Sequence, residues 1–202
     1  ILGHRLATKA RNGRLPGYAH INNPSLSTLI GMQMAIKCGI DNPEIEKGID
    51  RSIAFYKTYS GEGALPYGVH GPNTRDFNNN GSSAMAALAM ALAGEKEAAK
   101  FFSQQSAAAY HIQETGHATH YFNILWTPLG ANVAGPEVSQ EFFRRGNWVR
   151  TLYRAWNDRF TYDGNKSKAF HDGGALLLAY CMPRKQLYIT GKNADQSLWV
   201  KG

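Results

Sequence analysis

The chain has few cysteines, few charges and no long apolar run, and each shortage excludes a class of protein. Its two cysteines, Cys38 and Cys181, lie in neither a CxxC nor a zinc-finger spacing, so we expect two free, buried thiols, with a long-range disulfide as the alternative. No stretch approaches the roughly 20 consecutive apolar residues that a membrane-spanning helix needs. Hydrophobic residues at 43% and charged residues at 18% predict an ordinary soluble globular chain.

The sequence also lacks an initiator Met and a signal-peptide pattern at its start, ILGHRLATKA. We therefore expect a processed or partial chain. Residues 1–202 should form a single domain, since 202 residues are the usual length for one core, with residues 183–202 as an extended C-terminal tail. The sequence by itself does not decide the compartment.

Acidic residues are outnumbered, 15 against 22 basic ones, which makes the net charge +7. The basic residues are scattered over three segments and form no known nucleic-acid-binding module with interleaved aromatic residues. We therefore expect no nucleic-acid partner. A small anionic molecule or an acidic glycan fits the same charge balance.

A repeat of about fifty residues organises the chain. His20, His70, His120 and His171 follow one another at intervals of 50, 50 and 51 residues. Leu15-Pro16 recurs as Leu65-Pro66, and each pair is followed by Asn and Ser residues and then by an uncharged or nearly uncharged run. A fixed period of this length is typical of a repeated supersecondary unit.

Two kinds of helix alternate within the repeat. Helices that are apolar on nearly every face are predicted at 25–38, 82–93, 117–134 and about 170–181, with Pro128 expected to kink or break the third. Amphipathic helices are predicted after Asn42, an N-cap followed by Pro43, and at 95–112 and 137–156. In the first of these, helical spacing places Ile45, Ile49, Ile53 and Tyr56 on one apolar face. Because a helix that is apolar all round must be buried all round, the first kind should form an inner ring and the second an outer ring.

This alternation predicts an all-α fold, specifically an α/α toroid of about three and a half helical hairpins. A closed toroid normally holds more hairpins. An open arc, a partner subunit or a missing part of the chain is therefore implied.

Two blocks carry a family resemblance: GHATHYFNILWTPLGANVAGPEVSQEFFRRGNWVRTLYRAWNDRFTYDG at 116–164, and GGALLLAYCMPRKQLYITGK at 173–192. They resemble an uncharacterised bacterial α/α-toroid family, a domain of unknown function. More distantly, the repeat is similar to the toroids of terpenoid cyclases and protein prenyltransferases. The resemblance implies the toroid fold, often a larger parent chain, and an extracytoplasmic location, but no established activity.

The chemistry of those distant relatives is not present. The cyclases use an acidic DxDD-type motif, whereas residues 76–80 read DFNNN, with a single carboxylate. The prenyltransferase zinc needs Asp, Cys and His in one arrangement, and Asp172 and Cys181 lie nine residues apart, which is wrong for one metal on a straight helix. We expect no metal and no cofactor.

Polar residues are concentrated where the predicted inner helices begin. In a toroid these N-termini gather at one mouth, where unpaired N–H groups attract anions. Asn80 or Ser82 should cap the second inner helix, and Asn22 and Asn23 read as a turn and cap before Pro24. The surplus should line a ligand pocket, for which the candidate binding residues are Asn78, Asn80, His117, Asn123, His171 and Asp172.

His120 is the candidate catalytic residue, with His70 and Asn79 as partners. His117, His120 and Asn123 are spaced three residues apart and so share one helical face. A histidine titrates near neutrality and can transfer a proton. Several toroid polysaccharide lyases neutralise a uronate carboxylate with Asn and remove the adjacent proton with His or Tyr.

Two functions stay open on this sequence. One is a ligand-binding toroid domain that holds a small molecule or an acidic glycan at its polar mouth and acts as a lyase or hydrolase. The other is a non-catalytic structural and interaction module of a larger protein or a homo-oligomer. A histidine repeated at one position of every unit favours packing, since chemistry usually needs different residues in different units.

Overall fold

The fold is entirely helical in the parts that the structure, a computed structural model, describes: residues 21–68, 71, 80–113, 121–154, 160 and 169–182, with backbone alone for 80, 121 and 169–172. Seven α-helices lie in these ranges: α1 Asn22–Lys37, α2 Pro43–Lys57, α3 Asn80–Leu92, α4 Lys96–Ala108, α5 Tyr121–Val133, α6 Pro136–Tyr153 and α7 Ala169–Cys181. A short 3-10 helix, Tyr110–Ile112, follows α4. The same ranges hold no strand, and the predicted all-α fold is confirmed.

The helices pack in two sets that alternate along the chain. The odd-numbered helices are neighbours in order, α1 against α3, α3 against α5 and α5 against α7. Of the even-numbered helices, α2 packs on α1, α4 packs on α3 and α5, and α6 packs on α5 and α4. Each hairpin therefore contributes one helix to a central row and one helix that covers it.

Burial is complete only in the middle of that row. In α3 every residue from 81 to 87 is buried, among them Ala84, Ala86 and Ala87. In contrast, Thr28 on α1 and Leu177 on α7 are exposed. The expectation that all four apolar helices are buried on every face is thus wrong for α1 and α7. The physical reason is that each of these end helices has one neighbour in the described row, whereas α3 and α5 have two.

Glycine sets the separation between α3 and α5. A Cβ atom placed on Gly130 would lie 2.4 Å from the Cα atom of Ala84, closer than real side chains approach. A Cβ atom on Gly81 would lie 2.8 Å from the carbonyl oxygen of Phe122. The backbones of the two central helices are therefore in direct contact.

The helix α5 continues through Pro128, so the break predicted there does not occur. Two serines of α4 donate hydrogen bonds to α5 carbonyls on either side of the proline. Ser106 Oγ lies 3.3 Å from the Thr127 oxygen, and Ser103 Oγ lies 3.2 Å from the Ala131 oxygen. Packing and hydrogen bonds from α4 thus support α5 where proline removes a donor of its own.

The start and the face of α2 are as predicted. Asn42 Oδ1 accepts a hydrogen bond of 3.0 Å from the Glu44 amide, and Pro43 occupies the first helical position. Ile53 and Tyr56 are buried on one face. Burial raises the pKa of the Tyr56 hydroxyl, which is hydrogen-bonded to Ser25 of α1. The second helix is therefore amphipathic and rests on the first.

Both cysteines are free, but the expectation that they are buried is wrong, because Cys38 and Cys181 are exposed. Cys38 directly follows α1, and Cys181 is the last residue of α7. Each lies at the C-terminal end of its helix. None of the helices described is both long enough and apolar enough to span a membrane.

Candidate functional site

The first turns of α1, α3 and α5 meet at one end of the central row. Asn23 Oδ1 accepts a hydrogen bond from Ser82 Oγ, which joins α1 to α3. Asn123 Oδ1 accepts a hydrogen bond of 2.8 Å from the Gly81 amide, which joins α5 to α3. We call the buried residues Asn22, Asn23, Ser82, Ser83 and Asn123 the polar end.

Asn22 ties the start of α1 to the segment that precedes α3. Its backbone amide donates to the Tyr67 oxygen at 2.9 Å, and its Nδ2 donates to the Pro66 oxygen at 2.6 Å and the Gly68 oxygen at 3.2 Å. The N-cap position of α1 is Ile21, with no capping side chain. The turn-and-cap role predicted for Asn22 and Asn23 is therefore wrong, since both buried amides bond to the second repeat instead.

Asn123 caps a helix other than its own. Its Oδ1 binds the first turn of α3, and its Nδ2 donates to the Ile112 oxygen at 3.2 Å. Only 2% of the residue is exposed. The candidate ligand-binding side chain thus uses both ends of its amide to join α5, α3 and the 3-10 helix.

The serines of α3 complete this network. Ser82 is the third residue of α3, inside the helix and not before it, so it does not serve as the N-cap. Its hydroxyl donates to Asn23, and Ser83 Oγ accepts from the Leu65 amide at 3.3 Å. Every described side chain of the polar end therefore has a partner within the chain.

Most of the predicted site is not covered by the structure. Five of the predicted residues lie outside the described ranges: His70, Asn78, Asn79, His117 and His120. Three others lie in the first turns of α3 and α7 with only their backbone described: Asn80, His171 and Asp172. Their roles stay predictions. Among the side chains that the structure covers, no group of His, Cys, Asp and Glu could hold a metal ion.

A second polar cluster, which sequence reasoning missed, surrounds Arg150 on α6. The residue is 1% exposed. Its Nη1 donates to the Gly146 oxygen at 3.3 Å and its Nη2 donates to Gln113 Oε1 at 3.4 Å. The guanidinium carbon lies 4.5 Å from the ring centroid of Phe143 and 5.3 Å from that of Phe142.

The guanidinium of Arg150 is a buried charge with an unused donor. Its Nε has no hydrogen-bond partner, and no ion pair between described residues includes Arg150. Burial lowers the pKa of Arg150 from 12.5 to about 10. A sequence signal existed, because Phe142, Gly146 and Arg150 follow at intervals of four residues and therefore share the buried face of α6.

The acidic residue nearest to Arg150 along α6 is bonded to other residues. Glu141 binds Arg144 through two contacts of 2.7 Å and also binds Arg145. The hydrogen bonds from Arg144 and then Arg145 lower the pKa of Glu141 to about 2. Glu141 therefore belongs to an exposed triad that does not include Arg150.

Comparison with known proteins gives a family and no activity. A family model described as a domain of unknown function, DUF6288, matches residues 1–191. No curated protein and no solved structure matches the chain.

Proposed function

The chain belongs to the DUF6288 family, whose description states no activity, and we propose from the geometry that it is a non-catalytic structural module. The observation that carries this proposal is that each side chain of the polar end is bonded within the chain. Asn22, Asn23, Ser82, Ser83 and Asn123 are buried and bonded to other parts of the chain. Buried polar groups that bind one another fix how helices fit together.

The proposed architecture is an open arc of an α/α toroid. The central row of odd-numbered helices, covered by even-numbered ones, supports it, as does the resemblance to a bacterial toroid family. In the described ranges α7 ends the row without a covering helix of its own, and Leu177, Leu178 and Tyr180 on it are exposed. A further part of the parent protein or a second copy of the chain would continue the arc there.

Substitution of Asn123 tests the structural role. We expect Asn123→Ala to lower the free energy of unfolding by about 1–3 kcal/mol, because the Gly81 amide and the Ile112 carbonyl lose their partner in a buried place. Asn132→Ala on the same helix is the matched control, with an expected change within about 0.5 kcal/mol. Urea unfolding of the purified chain gives both values.

The same variants separate the structural role from ligand binding. Under the structural proposal, oligosaccharides of uronic acids do not raise the melting temperature of the unsubstituted chain. If Asn123→Ala were as stable as the parent chain but lost binding to such an oligosaccharide, the structural proposal would be abandoned.

A second candidate function, the binding of an acidic glycan with His120 as proton-transfer residue, has one observation in its favour. The first turns of α1, α3 and α5 converge, and helix N-termini attract anions. His117 and His120 directly precede α5 in the sequence. This function requires that His120→Ala removes cleavage of a uronic acid polymer while the melting temperature is unchanged, measured by release of the unsaturated product.

A further inference from the structure

Arg150 is a buried positive charge that no described residue neutralises. A charged group is seldom buried in proteins unless an opposite charge accompanies it, because the loss of hydration is large. Arg150 is 1% exposed, yet none of the described carboxylates pairs with it. Its charge is therefore buried without an opposite charge from the described residues.

The surroundings hold the guanidinium in place. Gly146 lies one helical turn before Arg150, and its lack of a side chain leaves room for Gln113, whose Nε2 would lie 2.4 Å from a Cβ atom there. Gln113 is itself fixed, since its Nε2 donates to the Tyr110 oxygen at 2.8 Å. The guanidinium carbon lies over the rings of Phe142 and Phe143. Arg150 is thus oriented from two elements.

The donors that remain are those that bind carboxylates. Two hydrogen bonds occupy two of the five N–H groups of a guanidinium, and Nε is unused.

We propose that Arg150 and Gln113 form a carboxylate-binding site in which the free N–H groups of the guanidinium bind the two oxygens of the anion. Arginine is suited to this task because its planar fork matches a carboxylate. The site is independent of the structural role of the polar end. The carboxylate comes either from a small molecule in solution or from a side chain elsewhere in this chain.

Thermal unfolding in acetate or glucuronate, with chloride added to keep the ionic strength constant, tests for a diffusible carboxylate. We expect a saturable rise in the melting temperature, about 5–10 °C at a concentration one hundred times the dissociation constant. Arg150→Gln should abolish the rise. Arg51→Gln removes the same charge from an exposed position on α2 and should keep it.

If the melting temperature does not respond to either anion, acidification tests for a carboxylate of the chain. A carboxylate bound to Arg150 has a lowered pKa, so the stability it contributes is present at pH 7 and lost as the pH falls towards 3. The difference in melting temperature between the unsubstituted chain and Arg150→Gln should then shrink over that range. Glu141 contributes equally to both proteins.

A chain that responds to neither anion, and whose difference from Arg150→Gln is constant from pH 7 to 3, overturns the proposal. If Arg150→Gln does not fold, the Nε–H resonance of Arg150 in the unsubstituted chain provides the same two tests by NMR. The resonance should shift saturably with acetate, or shift between pH 7 and 3. A resonance that does neither shows that no carboxylate binds.

Discussion

At the scale of single residues, Gly130 determines how closely α3 and α5 approach. A methyl group at this position would meet the Cα atom of Ala84 at 2.4 Å and its Cβ atom at 2.6 Å. Both contacts lie in the middle of a buried interface and involve atoms that cannot swing away. The helices would have to separate to accommodate the added carbon.

We therefore expect Gly130→Ala to lower the free energy of unfolding by about 1–3 kcal/mol, even though alanine favours a helix more than glycine does. Gly31→Ala on the exposed side of α1, where no atom lies within 4 Å of the added carbon, is the control. It should raise stability by up to about 1 kcal/mol. Equal effects of the two substitutions in urea unfolding would show that α3 and α5 do not touch at Gly130.

The Glu141 triad gives a prediction about acid. Because Arg144 and Arg145 lower the pKa of Glu141 from 4.5 to about 2, its stabilising contribution is complete above pH 4.5 and is lost as the pH falls towards 2. Glu141→Gln should therefore differ from the parent chain at pH 6 and match it near pH 2. The difference should be small and should fall in high salt, because the triad is exposed. Melting curves at the two pH values measure it.

At the scale of elements, local signals in the sequence were sufficient to predict a helix whose start and buried face depend on its own residues. Asn42 and Pro43 predicted the start of α2, and the spacing of Ile53 and Tyr56 predicted its buried face. Where the partner comes from a distant part of the chain, local signals failed. Nothing near residue 81 in the sequence indicates that Asn123 binds its amide. The exposure of α7 likewise depends on how many neighbours it has, which its composition does not reveal.

Substitution of Asn42 tests the contribution of the N-cap of α2 to stability. Asn42→Ala removes the acceptor of the Glu44 amide and should reduce the free energy of unfolding by about 1 kcal/mol. Asn42→Ser keeps an oxygen in the capping position and should restore most of the loss. Unfolding monitored by circular dichroism compares the three chains. A serine variant as unstable as the alanine variant would mean that the cap is not the cause.

At the scale of the whole molecule, the fifty-residue repeat indicated the alternation of helices, because buried and amphipathic patterns recur in turn. The candidate site was less predictable. A count of polar residues at helix starts does not distinguish those that bind a ligand from those that bind one another, as Asn23 and Ser82 do. The sequence did not indicate that Arg150 is buried, because a basic residue in a helix is ordinarily assigned to the surface.

The position of each helix in the row predicts how slowly its amides exchange with solvent. The amides of α3 should exchange most slowly, at rates close to those set by global unfolding, because α1, α4 and α5 all cover it. The amides of α2 and of the C-terminal half of α7 should exchange fastest, since both helices lie at the margin. Hydrogen exchange followed by mass spectrometry orders the helices. Equal protection of α2 and α3 would contradict this picture.

The bond between Gly81 and Asn123 also has a consequence for synthesis on the ribosome. Its two residues are 42 positions apart, so α3 is made before the residue that caps it. At about 5–20 residues per second, roughly 2–8 s pass between the synthesis of Gly81 in the first turn of α3 and the synthesis of Asn123 in α5. During that interval the nascent chain exposes a helix that the finished protein buries on every side, and this is the stage at which a chaperone would be needed.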